Sequence, residues 1–326
     1  MTNERFLVTG AMGCIGAWVV RNLAREGRPV VFDLSNDPKR LKQIATPEEL
    51  AQVKFIAGDI TDLDAVERAL DEHEITNVIH LAALQVPFCR ANPPLGAQVN
   101  VVGTVNVFEA VARRKARINS VVYASSIAVY DAVEASGGLA TEQTTAHPMS
   151  LYGVYKQANE GTARIYWQDN QVASIGLRPY TVYFVGRDQG MTSSPTKAMF
   201  AAAVGQPYHI SFGGRGIFQY AEDVANAFII AARTRFEGAE LFNLGGSVVT
   251  MSEVVAAIQA AAPQSVGSIT FAETQLSLPA DVDAAPVRQA LGELPFTPLP
   301  EAVYETVNRF RTLVERGEMT QDAILS

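Results

Sequence analysis

Between residues 6 and 178 the chain alternates short β-branched runs with longer stretches of helical periodicity, and few architectures accept that rhythm. Strand-like segments at 6–8, 30–33, 53–57, 78–81, 120–124 and 172–177 are separated by helix-periodic segments at 14–26, 63–72, 94–114 and 151–169. The pattern predicts an α/β fold, a doubly wound parallel sheet of Rossmann type that receives ligands at the carboxyl ends of its strands. Past residue 178 the rhythm loosens: Gly186, Gly190, Pro195, Gly205, Pro207 and the turn Gly213-Gly214-Arg215-Gly216 punctuate shorter elements. Residues 1–178 are therefore expected to form the main sheet and 179–326 mainly a smaller C-terminal, substrate-binding lobe. The helix-like 222–233 and strand-like 241–244 have the pattern to return to the sheet, so the lobes should interleave.

The first strand runs into Thr9-Gly10-Ala11-Met12-Gly13-Cys14-Ile15-Gly16. Glycines at 10, 13 and 16 permit a tight turn and let a pyrophosphate approach the N-terminus of the following helix. Asp33 closes the second strand, 17 residues beyond Gly16, where a carboxylate binds adenosine ribose hydroxyls and repels a 2′-phosphate. The coupled turn and acid point to NAD as cofactor. Asp59, followed by Ile60, is placed to receive the adenine amino group or to cap the next helix. Leu81, Ala82 and Ala83 end the fourth strand with residues that let a dinucleotide lie close, and His80 before them reads as a packed histidine.

Tyr152 and Lys156 lie four apart at the start of the helix after the fifth strand, hence on one helical face. An ammonium beside a phenol lowers the phenol pKa and makes it an acid/base near neutrality. Ser126, at the carboxyl end of the fifth strand, supplies a hydroxyl to the oxygen that Tyr152 protonates or deprotonates. The substrate pocket is expected from 85–90, 180–192 and 209–218, with Gln85, Tyr180, Thr181, Arg187 and Arg215 as candidate contacts.

Charge narrows the function classes. Against 26 Lys+Arg stand 34 Asp+Glu, a net charge of −8, so the chain lacks the positive field for non-specific nucleic-acid or membrane binding. The one tight basic cluster, Arg113, Arg114, Lys115 and Arg117, falls where a helix should end and reads as a partner of its dipole. Cys14 and Cys89 make no disulfide framework, and the four histidines lack metal-ligand spacing. No metal, no nucleic acid, no membrane and a reducing, cytoplasmic setting are the expectations.

The ordered set of the 9–16 turn, Asp33, Gly58-Asp59-Ile60, the 80–83 run, Asn100-Val101-Val102-Gly103-Thr104, the 125–130 segment, the 152–156 segment and Leu177-Arg178-Pro179 resembles the extended short-chain dehydrogenase/reductases, specifically the NAD-dependent epimerase/dehydratase group. The resemblance covers nearly the whole chain. It implies that Tyr152 is the catalytic acid/base, that Lys156 binds the nicotinamide ribose and tunes Tyr152, and that Ser126 orients the reacting oxygen. It also implies a homodimer joined through the helices at 94–114 and 151–169. The departures matter equally. Dehydratases of the family place Asp-Glu after the catalytic Ser/Thr, where this chain has Ile127-Ala128. The asparagine and arginine that hold a nucleotide-sugar diphosphate are replaced by Thr181 and Gly216. The leading expectation is an NAD-dependent oxidoreductase transferring hydride at a secondary alcohol or ketone carbon of a small sugar-like or polyhydroxylated substrate. A nucleotide-sugar epimerase with tightly bound NAD is the alternative, and a non-catalytic dinucleotide-binding regulator on the same fold a further one.

Overall fold

A computed structural model describes residues 4–27, 29–130 and 139–320. Its centre is a seven-stranded, wholly parallel sheet: β1 (Phe6–Thr9), β2 (Val30–Asp33), β3 (Lys54–Ala57), β4 (Asn77–His80), β5 (Val121–Ala124), β6 (Ser174–Arg178) and β7 (Ala239–Asn243). In space they run β7-β6-β5-β4-β1-β2-β3. The order reverses between β1 and β4, and a crevice opens there at the carboxyl ends. Pairing sets Thr9 opposite both Phe32 and His80, so the glycine turn, Asp33 and the 80–83 run leave the sheet side by side.

Strands β1 and β4 are buried along their full length, as a sheet covered on both faces requires. One face packs on the helices Cys14–Ala24 and Ala221–Arg233 through Trp18, Val19, Val20, Ala225 and Phe228. The other packs on Leu63–Glu72, Gly103–Ala112 and Leu151–Asn170 through Val66, Leu70, Val107, Phe108 and Tyr123. Strand β7 pairs with β6 from Ala239–Ser174 to Asn243–Arg178, which makes it the last strand of the main sheet.

The helical run Pro93–Ala112 is long and apolar enough to cross a bilayer by length and composition. Here it packs one side against the sheet, and it is interrupted by one π-helical turn, Gln98–Val102. That turn aims Asn100 at the loop after β4, where its Oδ1 accepts from Leu84 N at 2.7 Å and its Nδ2 donates to Leu84 O at 2.9 Å. The basic cluster is held differently from the dipole expectation. The helix ends at Ala112, and Arg113, Arg114 and Arg117 pair chiefly with Glu67, Glu109 and Asp71. Three guanidiniums beside opposed carboxylates find stronger partners there than a helix end.

The rest of the chain forms a second layer of structure. Thr181–Tyr183 pairs parallel to Arg215–Tyr220, which pairs antiparallel to Ser247–Thr250. Helices Ser194–Ala203, Met251–Ala261 and Leu299–Glu315 back these strands. Met251–Ala261 begins with a reciprocal capping box between Thr250 and Glu253.

Candidate active site

The crevice holds a cavity of about 1080 Å³. The turn that forms one end of it depends on two glycines. Gly10 has φ +68°, and a Cβ there would sit 2.5 Å from Ala82 N, while one on Gly16 would sit 2.4 Å from Gly10 O. No side chain caps the helix that follows Gly13. Its first N–H groups, on Cys14, Ile15 and Gly16, therefore stand at a positive helix end facing the cavity. That is a cradle for a pyrophosphate.

Asp33 lines the same end. Its Oδ2 accepts from Met12 N at 3.0 Å and its Oδ1 from Ser35 N at 3.0 Å, which locks the carboxylate against the glycine turn. Asp59 and Ile60 also face the cavity. Asp59 Oδ1 accepts from Thr61 N and Oγ1, whereas the cap of the next helix is Asp62, so capping is not the role of Asp59.

Leu81, Ala82 and Ala83 form the wall between these ends. Behind them runs a buried relay. Thr104 Oγ1 donates to Asn100 O at 2.8 Å, so it accepts from His80 Nε2 at 3.0 Å. His80 Nδ1 then accepts from Thr9 Oγ1 at 2.7 Å, and Thr9 Oγ1 receives Ala82 N at 3.3 Å. The network assigns the Nε2–H tautomer. Burial pushes the His80 pKa down to about 3, and the imidazole is a neutral spacer that sets the wall.

At the other end stand Ser126, Tyr152 and Lys156. Ser150 Oγ accepts from Gly153 N at 3.1 Å and starts the Leu151–Asn170 helix. Gly153 lets that helix touch the Ser126 turn, since a Cβ there would lie 2.1 Å from Ala128 O. Ser126 Oγ accepts from Ala128 N at 3.2 Å and lies near enough to the Tyr152 hydroxyl to favour its ionised form. Its neighbour Ser125 donates instead to Glu160 Oε1 at 2.5 Å, which separates the two serines.

Lys156 is 3% exposed, its Nζ donates to Ala124 O at 2.7 Å, and it lies 5.6 Å from the Tyr152 ring centre. Burial brings the Lys156 pKa down to about 8. The expected lowering of the Tyr152 pKa is corrected here. Burial raises it, outweighing the nearby Ser126 hydroxyl and the Arg187 charge that oppose it, while Lys156 is turned to a backbone carbonyl. A phenol held in this state keeps its proton and can donate it to a developing alkoxide.

Of the expected substrate contacts, Gln85, Tyr180, Thr181 and Arg187 line the cavity. Tyr180 presents its ring, because its hydroxyl donates to Pro279 O at 2.7 Å. Arg215 does not join them. It opens the middle strand of the three-stranded sheet opposite Thr250, is exposed, and directs its charge toward Glu253. No residue of 209–218 lines the cavity, and Leu276, Ser277 and Leu278 form part of its wall. Their polar/apolar alternation has no feature that marks a pocket. The contact between Arg40 and Asp188 has no local sequence signal: Arg40 donates to Met12 O at 2.8 Å and to Asp188 Oδ1 at 2.7 Å, tying the glycine turn to the loop after Tyr183.

The cradle, the acid at the end of β2 and the small-residue wall fit NAD, and Gly10, Gly13, Cys14, Ile15 and Gly16 are the residues that could hold its pyrophosphate. Comparison with known proteins agrees. The chain is 30% identical over 318 residues to UDP-glucose 4-epimerase of Mycolicibacterium smegmatis, covering 94% of this chain and 98% of the relative. The structure of Thermus thermophilus UDP-glucose 4-epimerase complexed with NAD superposes with TM-score 0.79 at 26% identity, over 94% and 99% of the two chains. A partial consensus L-threonine 3-dehydrogenase superposes with TM-score 0.83 at 21% identity, over 95% and 100%, and shares the fold. Residues 6–245 match the description of the NAD dependent epimerase/dehydratase family. From its glycine turn to its last sheet strand, the chain belongs to that family and is an NAD-dependent enzyme of the extended short-chain dehydrogenase/reductase type.

Proposed function

We propose that the protein is an NAD-dependent oxidoreductase acting on a secondary alcohol or ketone of a small, sugar-like or polyhydroxylated substrate without a nucleotide handle. NAD, when bound, supplies or accepts a hydride at the reacting carbon. Tyr152 moves the proton on the reacting oxygen, and Ser126 orients that oxygen. Lys156 holds the nicotinamide ribose. Asp33 takes the adenosine ribose, Asp59 and Ile60 the adenine, and Leu81, Ala82 and Ala83 flank the dinucleotide.

The observation that carries the reading is the composition of the substrate end. Gly216 stands where nucleotide-sugar enzymes of the family keep a phosphate-binding arginine. Arg215 beside it points to solvent, and Thr181 replaces the diphosphate-binding asparagine. Epimerisation needs a tether that keeps the ketone in place while it turns over, and without one the ketone and reduced cofactor leave. The second reading, a nucleotide-sugar epimerase, is favoured by the identity to UDP-glucose 4-epimerase along almost the full chain. Sugars, sugar acids and nucleotide sugars offered with excess NAD decide between them. Stoichiometric NADH is expected, whereas inversion of a nucleotide sugar with no net NADH selects the epimerase. A chain that binds NAD and turns over none of the panel would favour a regulator.

We further propose a cytoplasmic homodimer without nucleic-acid or membrane partners. Leu95, Val102, Leu151, Val154 and Ile165 form exposed apolar positions on the two long helices and support that interface. The free Cys14 and Cys89 suit a reducing compartment. Light scattering at micromolar concentration reports the assembly, and a monomer there removes the dimer.

A further inference from the structure

Arg187 and Asp188 are consecutive residues with opposite charges that do not serve each other. Glycines with φ +93° at Gly186 and +90° at Gly190 bracket the loop that carries them. Asp188 faces back to Arg40, 2.7 Å away, which spends its charge on the glycine-turn side. Arg187 turns into the cavity, half-buried, with Nη2 donating to Thr192 Oγ1 at 2.9 Å. Its Nε is shut from solvent without a hydrogen-bond partner. Among the ion pairs of the described residues, none includes Arg187.

A second buried atom without a partner marks the same spot. Gln85 Oε1, on the opposite wall, is likewise unbonded. The two side chains converge on Gly190: a Cβ there would lie 2.1 Å from Gln85 Oε1 and 3.4 Å from Arg187 Nη2. Gln85 follows the 81–84 wall, and the Arg187 charge reaches both the Tyr152 hydroxyl and Cys14 of the glycine turn, so this corner lies between the two ends of the cavity. The cofactor pyrophosphate already has the uncapped helix end. A guanidinium drawn out of water with no counter-charge is costly, and its planar fork matches a carboxylate or phosphate.

We propose that the substrate carries a compact anionic group, a carboxylate or phosphate, that docks on Arg187 with Gln85 beside it, close to the carbon served by Tyr152. The inference rests on the reading of this cavity as the active site, and deepens it by naming the substrate class. Gln85, as an amide, can turn its NH2 to the anion and its oxygen to a neighbouring hydroxyl.

The test measures binding apart from turnover. NADH-loaded wild-type, Arg187→Met, Arg187→Lys and Tyr152→Phe proteins are titrated calorimetrically with matched sets: glucose, glucuronate and glucose 6-phosphate, then galactose, galacturonate and galactose 6-phosphate. At least one acid or phosphate is expected to bind wild type at least tenfold more tightly than its neutral partner. Arg187→Met should lose about 100-fold on that ligand, with under threefold change for the neutral sugar, and Arg187→Lys should recover part of the loss. Comparison of the two anions tells carboxylate from phosphate. Equal affinity for charged and neutral ligands in wild type overturns the proposal, and so does equal loss on both in Arg187→Met. An NADH dissociation constant raised more than tenfold by Arg187→Met also overturns it, since Arg187 would then serve the cofactor. Normal anion binding by Tyr152→Phe with turnover intact would sink the catalytic reading and leave the anion site standing.

Discussion

Arg178 and Glu160 form a two-bonded pair beneath the active site, Nε to Oε1 at 2.7 Å and Nη2 to Oε2 at 2.8 Å, with side chains 4% and 8% exposed. Glu160 lies one helical turn beyond Lys156, and it also accepts the Ser125 hydroxyl. Arg178 ends β6 and donates as well to the Tyr130 hydroxyl. One ion pair thus fastens the Tyr152 helix to the strand ends that present Ser126.

Removing one partner strands the other charge in a dry site. Glu160→Gln is expected to lower stability by about 3 kcal/mol in urea unfolding. Arg178→Met should cost a similar amount, and the double variant should cost less than the sum of the two. Additive losses would show that the pair contributes no coupling.

Tyr152→Phe removes the proposed proton donor and leaves the ring. Turnover should fall by about 100-fold to 10,000-fold, while NADH affinity measured by fluorescence stays within a few-fold. Lys156→Met should damage both quantities. Near-native turnover by Tyr152→Phe would remove it from the chemistry.

Asp33 cannot swing aside for a 2′-phosphate while Met12 and Ser35 hold both its oxygens. Arg40, the nearby base best placed to offset it, is committed to Asp188 and Met12 O. Wild type is expected to bind NAD at least tenfold more tightly than NADP, and Asp33→Asn should narrow that gap. Equal or tighter NADP binding by wild type would refute the assignment.

His80 links stability to acidity. Its folded pKa of about 3 lies below the unfolded value near 6.5, so between them the unfolded chain holds the extra proton. The His80 contribution is complete above pH 6.5 and falls by about 1.4 kcal/mol per pH unit on acidification toward pH 3. His80→Asn should flatten that stretch of a stability-against-pH curve. An unchanged slope would mean that the imidazole is protonated in the native protein.

The sheet was legible because parallel strands buried on both faces write continuous apolar runs, as in Phe6-Leu7-Val8. That the glycine turn, Asp33, Ser126, Tyr152 and Lys156 meet at one crevice was legible because each sits at a strand end or helix start fixed by that sheet. Arg215 and the 209–218 segment misled because sequence distance says nothing about which face of a peripheral strand meets the cavity. Leu276, Ser277 and Leu278 arrive from far along the chain, held by the Tyr180 contact to Pro279, a tertiary event without a local signature. The Tyr152 pKa failed for a related reason: adjacency to Lys156 was readable, and the pull of the Ala124 carbonyl on that lysine was not.

The late return of β7 and of helix Ala221–Arg233 to the sheet governs how the protein is made. The partner of the Cys14–Ala24 helix leaves the ribosome about 200 residues after it, roughly 10–40 s later at ordinary elongation rates. Until then Trp18, Val19 and Val20 lack that cover, and β6 is an open edge awaiting Ala239–Asn243. Closing the sheet consequently waits for the chain to reach Asn243, and a premature stop before residue 239 leaves six of the seven strands with β6 as a sticky open edge, not a small working dinucleotide binder.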